Sequence, residues 1–279
     1  NKYKNHMIKQ AIIPLAGLGT RLLPLTSVMA KELLPINGKP NLEYIMDECI
    51  EAGINQFIFV ISKKKEQIKK YFYRDKLFEK VIKNKKDDRI KKELIKLKKY
   101  RKMIKFVYQN NPKGTGDAVL KCKKHIKDKF FMMLLPDDLI IKNNCSKEMI
   151  SLHKKTNSSI IATKTVEKKS IPRWGILSIK NKKKDYFQIT DVVEKPTIKD
   201  AKSNFAIIGR YILPKSVMNE ISKLKPGQGR EIHITDAIKQ LILKNNKFYG
   251  KIFKGKYLDC GTLKGYINSG SIISKIKKI

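Results

Sequence analysis

This chain of 279 residues has no long apolar stretch, and its longest wholly apolar run is Phe130–Leu135. That is far short of the roughly 20 residues that cross a bilayer, so no membrane partner is expected. Cysteine is sparse: Cys49, Cys122, Cys145 and Cys260 lie far apart with no C-x-x-C pair, and the four histidines do not cluster with them. Neither a disulfide scaffold nor a zinc site is indicated. The segment Asn1–Met7 is basic, but the apolar stretch behind it is cut by Pro14, Gly17, Gly19 and Arg21, a poor core for a signal peptide. A cytoplasmic protein is the expectation.

Acidic residues are scarce as well, 25 against 62 basic ones, a net charge of +37. Such a surface attracts phosphate backbones. Only seven of the basic residues are arginine, however, and the lysines are scattered along the chain instead of forming a stripe. Base readers depend on arginine's bidentate fork, so no specific nucleic acid is expected. Codon drift in an A/T-rich genome, which favours lysine at tolerant surface positions, is the preferred reading of the excess. A basic nucleic-acid-binding protein remains the rival from another class, recognisable by selective binding with a steep salt dependence.

There are no internal repeats and no Gly/Ser linker. Apolar runs of strand length alternate with segments of helical periodicity. Ala11–Leu15 and Gln56–Ile61 read as buried strands flanking a helix from Pro40 to Gly53, whose apolar face is Leu42, Ile45, Met46, Cys49 and Ile50. Residues 63–105 read as lysine-rich helix with a narrow seam at Ile90, Leu94 and Leu97. Strands follow at Ile104–Gln109 and Phe130–Leu135, with a helix from Thr115 to about Ile126 between them. Later strands at Ser159–Thr165, Gly175–Ile179, Phe187–Val193 and Ala206–Leu213 lie close together, as in a mixed or antiparallel region. Helices are expected near Lys215–Leu224, Arg230–Asn245 and Leu263–Ile276. The pattern predicts a single α/β domain over 1–279 with its ligand at the carboxyl ends of the strands.

The first strand runs into Gly17-Leu18-Gly19-Thr20-Arg21, with Lys31-Glu32-Leu33-Leu34-Pro35 ten residues on. Leu22 stands where G-x-G-x-x-G needs its third glycine, and G-x-x-x-x-G-K-[ST] is absent, so neither the dinucleotide fingerprint nor the P-loop is present. Two glycines still allow bare backbone N–H groups to approach an anion or a base, with two cations close behind. Further on come Gln109, then Lys113-Gly114-Thr115-Gly116-Asp117, Leu135-Pro136-Asp137-Asp138 and Val193-Glu194-Lys195-Pro196. Ser203–Tyr211, Glu231–Ile238 and Leu258-Asp259-Cys260-Gly261 complete the series.

In order and spacing, over roughly residues 8 to 270, this set resembles the sugar-nucleotide pyrophosphorylases. These nucleotidyltransferases join a nucleoside triphosphate to a sugar 1-phosphate. The likeness is nearest to the bacterial UTP–glucose-1-phosphate uridylyltransferases, although Asp117 stands where those commonly carry histidine and Arg230 where an acidic residue is common. The resemblance implies a Rossmann-like, mixed but mainly parallel sheet flanked by helices, with a smaller β-rich part. On it, a nucleotide-binding part spans about 8–140, a sugar-binding part about 141–262 and a C-terminal helix about 263–279. It implies transfer of uridylyl from UTP to α-D-glucose 1-phosphate with Mg²⁺ as cofactor, in a homodimer or homotetramer. A thymidylyltransferase using dTTP is the alternative within the fold.

By the same resemblance, Arg21 grips the β- and γ-phosphates and Lys31 stabilises charge on the reacting phosphates. Lys195 holds the sugar phosphate, while Glu194 and Gly175 touch the sugar. Ala16, Gly17, Gly19, Thr20, Gln109 and Gly114 form the nucleotide site, with both donor and acceptor of the Gln109 amide reading uracil. Asp137 and Asp259 bind the metal. Charge repulsion between two anionic reactants is the main barrier, which is why the chemistry needs cations and a metal.

Overall fold

The computed structural model describes residues 7–73, 80, 82 and 87–277. Its centre is a nine-stranded sheet. In chain order the sheet strands are β1 (Gln10–Pro14), β4 (Gln56–Ile61), β5 (Ile104–Tyr108), β6 (Phe130–Leu134), β8 (Ser159–Thr165), β9 (Gly175–Lys180), β10 (Tyr186–Glu194), β11 (Phe205–Pro214) and β12 (Phe248–Ile252). Their spatial order is β5-β4-β1-β6-β11-β8-β12-β10-β9. The first four run parallel, and β6 then pairs antiparallel with β11. Beyond β11 the pairing is mixed, parallel only between β8 and β12. The fold is therefore α/β with a mixed sheet, and the β6–β11 ladder joins the two halves of the chain.

Alternation along the strands divides the core into two layers. On β1, Ala11 and Ile13 enter one layer and Ile12 the other; on β4, Phe57, Phe59 and Ile61 oppose Ile58 and Val60. Helix α1 (Asn41–Glu51) covers the first layer with Leu42, Ile45, Met46 and Cys49, the face expected from its spacing. Helix α2 (Glu66–Phe72) lies on the same side. Helix α3 (Asp88–Met103) adds only Leu97 and Tyr100 fully buried, with Ile90 and Leu94 half-buried, so the predicted narrow seam is real. The stretch 74–86 of that expectation lies outside the described residues apart from 80 and 82.

On the opposite side, α4 (Thr115–Lys121) is shorter than predicted: the chain tightens into a 3₁₀ turn at Lys123–His125 before Ile126. Helix α5 (Cys145–Thr156) packs on the first layer, and α6 (Val217–Ile221) and α7 (Ile234–Leu243) cover the second. The sequence placed these last two too generously, at 215–224 and 230–245. Helix α8 (Leu263–Lys277) closes the described chain. Two small ladders escaped sequence reading: β2 (Pro35–Ile36) with β3 (Lys39–Pro40), and β7 (Asp138–Ile141) with β13 (Lys256–Asp259). Among the described residues no helix is long and apolar enough to cross a membrane.

Candidate active site

A cavity of about 640 Å³ opens at the carboxyl ends of β1, β5, β6 and β10. Ala16, Gly17, Arg21, Lys31, Gln109, Gly114, Asp137, Gly175, Glu194, Lys195 and Asp259 all line it. Gly19 and Thr20 do not. Gly19 adopts φ 73°, and a Cβ there would sit 3.1 Å from Lys31 Cδ, so the glycine lets the loop close over the lysine stem. Thr20 opens the 3₁₀ turn Thr20–Leu22 and is exposed; the turn buries Leu22 and leaves Arg21 at the cavity mouth.

Lys31 reaches Asp137 with Nζ–Oδ2 2.5 Å, and Arg21 lies 3.8 Å from the same oxygen. Directly behind, Glu32 is fully buried and takes both its hydrogen bonds from Lys65 Nζ, each 2.7 Å. Helix α2 also clamps this segment through Gln67, which accepts from Ala30 N–H (2.8 Å) and donates to Val28 O (3.0 Å). Burial opposes the Lys31 ammonium, but Asp137 and Glu32 outweigh it and hold its pKa above the usual lysine value. Burial pushes the Glu32 carboxyl up, against the pull of Lys65 and Lys31. Lys31 is thus a fully charged, rigidly held cation.

Asp137 follows β6 on a short loop fixed by backbone bonds. Leu135 N–H donates to Gly209 O (2.7 Å) and Cys260 N–H to Asp137 O (2.8 Å). The buried Arg210 donates to Leu135 O (3.1 Å) and Asp138 O (2.6 Å), and to Glu48 on α1 with Nη2–Oε2 2.9 Å. β11 loses register with β8 between Ile207 and Tyr211, freeing Gly209 and Arg210 for these bonds. Asp138 pairs across the ladder with Asp259, which places the latter beside the Asp137 loop. Asp259 accepts from Gly261 N–H (2.8 Å) and Thr262 Oγ1 (3.2 Å). Asp138 accepts from Tyr257 OH (2.6 Å); burial raises its pKa despite that bond and Arg210.

Asp137 and Asp259 are the carboxylates suited to a hard cation. Among the described residues no group of three or more His, Cys, Asp or Glu could hold a metal. Two aspartates fit Mg²⁺ all the same, because that ion completes its shell with phosphate oxygens and water.

At one end of the cavity, Gly175 on β9 faces Glu194 on β10, and Thr235 Oγ1 donates to Glu194 Oε2 (3.0 Å). A Cβ on Gly175 would lie 3.2 Å from Glu194 Oε2, so glycine keeps that carboxylate accessible. Lys195 follows with φ 46°, its N–H bonded to Trp174 O (3.0 Å). At another end, the buried Gln109 is pinned by its N–H to Ile61 O (2.8 Å). Its Nε2 donates to Asp117 Oδ2 (2.6 Å) and Gly114 O (3.2 Å). The expectation that the Gln109 amide offers a ligand both donor and acceptor is therefore corrected: both amide hydrogens face protein acceptors, and Oε1 is left.

Several lining residues were not singled out from sequence: Glu32, Asp138, Arg173, Trp174, Tyr211, Glu231, Thr235 and Tyr257. The one tryptophan, directly before Gly175, and the doubled aspartate at 137–138 were the available signals.

Comparison with known proteins agrees with this geometry. A UTP--glucose-1-phosphate uridylyltransferase of Mycoplasma genitalium is 35% identical over 267 residues, 94% of this chain and 90% of that protein. A solved UDP-glucose pyrophosphorylase complexed with UDP-glucose superposes with a TM-score of 0.85 at 34% identity, covering 96% of this chain and 99% of that one. A UTP-bound UGPase from Acinetobacter baumannii gives 0.86 at 30% identity, over 96% and 94% of the two chains. The sequence model described as nucleotidyl transferase matches residues 10–275, and this chain belongs to that family.

Proposed function

We propose that this protein transfers the uridylyl group of UTP to α-D-glucose 1-phosphate, releasing pyrophosphate and forming UDP-glucose. The observation that carries the reading is that one cavity holds an amide at one end, a carboxylate with a close glycine at another, and Arg21, Lys31 and Asp137 together. The names of the relatives point the same way.

On this reading a phosphate oxygen of glucose 1-phosphate attacks the α-phosphorus of UTP in line. The new P–O bond forms as the bond to the β-phosphate oxygen breaks, and pyrophosphate carries away the electron pair. The nucleophile is already ionised, so no general base is needed. Lys31, kept charged by Asp137 and Glu32, stabilises the equatorial and leaving oxygens. Arg21, at the mouth, holds the β- and γ-phosphates. Lys195 positions the sugar phosphate against the triphosphate, and Glu194 accepts from sugar hydroxyls beside the Gly175 backbone. Ala16, Gly17 and Gly114 offer backbone to the base, and Gln109 offers Oε1. Asp137 and Asp259 would hold a divalent cation, Mg²⁺, which when bound neutralises phosphate charge. The nucleotide-binding part is then about 8–140 and the sugar-binding part about 141–262.

Pyrophosphate release measured with UTP and dTTP, each with glucose 1-phosphate, tests the reading. UTP is the preferred donor; equal or better turnover with dTTP would assign the chain to thymidylyl transfer instead. In Asp137→Ala, turnover is lost while the thermal melt stays cooperative. Substantial residual Mg²⁺-dependent activity in that variant would remove Asp137 from the metal site.

A further inference from the structure

The geometry points to Asp117 as a positioning residue that locks the Gln109 amide with its oxygen toward the nucleotide base, so that the site selects bases carrying a ring N–H and rejects cytosine. The inference rests on Gln109 reading the base, as proposed above, and adds how its orientation is set.

Glutamine can present either an acceptor or a donor, because its two amide ends are nearly the same size. A glutamine free to rotate would accept the N3–H of uracil in one orientation and donate to the N3 lone pair of cytosine in the other. What it reads therefore depends on its neighbours. Here Nε2 meets two acceptors, Asp117 Oδ2 at 2.6 Å and Gly114 O at 3.2 Å. The two are unequal. Gly114 O is shared with the Ala118 N–H (3.3 Å) of α4, whereas Asp117 provides a short, charge-assisted bond. A carboxylate can only accept, so rotating the amide would set oxygen against oxygen at this spot.

Among the described residues no other donor reaches the carboxylate oxygen that Gln109 uses. Lys121 lies 4.0 Å from the other one, Oδ1. The backbone of Gln109 is itself anchored to Ile61, so the side chain cannot relieve a clash by shifting as a whole. Gln109 is 2% exposed, and its Oε1 takes no hydrogen bond from the described residues. That oxygen is the amide atom left for a ligand in the cavity. Cytosine would bring a lone pair against it; uracil and thymine bring a hydrogen.

The experiment measures kcat and KM for UTP and CTP, with glucose 1-phosphate saturating, in the wild type, D117A, D117N, Q109A and D117A/Q109A, with a thermal melt of each. In D117A the UTP:CTP ratio of kcat/KM falls by about tenfold or more, through KM and with kcat for UTP nearly unchanged. D117N brings an amide that can donate as well as accept, so the rotated Gln109 is no longer forbidden and the ratio falls there by more than about threefold as well. Adding D117A to Q109A changes the ratio no further, because Asp117 acts only through Gln109. A wild-type ratio in D117A, a loss in kcat alone, a D117N as selective as the wild type, or full additivity in the double variant would each overturn the proposal. Should D117A not fold, D117N decides: a wild-type ratio there counts against the lock. A wild type that uses CTP as well as UTP would instead refute the uridylyl reading itself.

Discussion

Arg210 is where the core and the active site depend on the same atoms, so its replacement by methionine is the sharpest test of how the Asp137 loop is held. The guanidinium is completely buried and makes bonds to Glu48, Leu135 O, Gly209 O and Asp138 O. Burial works against its charge, but Glu48 outweighs burial and holds its pKa above the usual guanidinium value. In R210M, Glu48 would remain buried with Ser146 as its one donor among the described residues, through N–H at 3.1 Å and Oγ at 2.6 Å. Removing one partner of a buried ion pair costs about 3–5 kcal/mol. For a chain of this size each kcal/mol corresponds to roughly 2–4 °C, so Tm falls by roughly 6–20 °C.

The double variant E48L/R210M removes both charges and leaves no ion stranded. Its loss is smaller than the sum of the single losses, with a coupling of about 2 kcal/mol or more. Scanning calorimetry gives the melts, and pyrophosphate release on the folded fraction gives activity. Because Arg210 grips the carbonyls on both sides of Pro136-Asp137, kcat falls in R210M even where the protein is folded. A Tm within about 2 °C of wild type, or additive losses in the double variant, would refute the account.

Three further outcomes follow from the geometry. Asp138 has a raised pKa in the fold, so the protonated acid is the form the fold favours; that contribution is present at low pH and lost as pH rises through the folded pKa. The Tm of D138N relative to wild type is therefore higher at pH 8 than at pH 5, and a pH-independent difference would contradict the assignment. Gly114 has φ 97°, and a Cβ would sit 2.6 Å from Ile232 O, so G114A costs about 1–3 kcal/mol. Its KM for UTP rises more than its KM for glucose 1-phosphate; equal increases would mean the strain is not local. With a net charge of +37, raising NaCl from about 10 to about 150 mM shortens the screening length from roughly 30 to 8 Å and raises Tm. A flat or falling Tm would show that the charge is not self-repelling in the fold.

What sequence could and could not disclose follows from the range of each interaction. Helix α1 and strands β1, β4 and β6 were legible because each buries a periodic or continuous apolar set written in consecutive residues. The ordered motifs pointed to most of the cavity wall for the same reason. Gly19 and Thr20 belong to such a motif yet do not line the cavity, since a motif records the need for a turn as readily as for a contact. The β7–β13 ladder was missed because its two strands are only four residues each and lie far apart in the chain. Glu48 and Arg210 stand 162 residues apart in the chain, and only the fold brings them together. Gln109 shows the subtlest gap: its identity was readable, but its orientation is decided by Asp117, eight residues on, across a turn set by Gly114.

The pairing of Asp138 with Asp259 also has a consequence for synthesis on the ribosome. The cavity wall begins at Pro14, yet Asp259 arrives only with β13. A nascent chain that has emerged as far as β12 carries every strand of the central sheet and still lacks one of the two proposed metal ligands. A chain cut short in that interval lacks Asp259 together with the core residues Leu258, Cys260 and Ile273. The order in which the residues are made thus delays turnover until the last wall is in place.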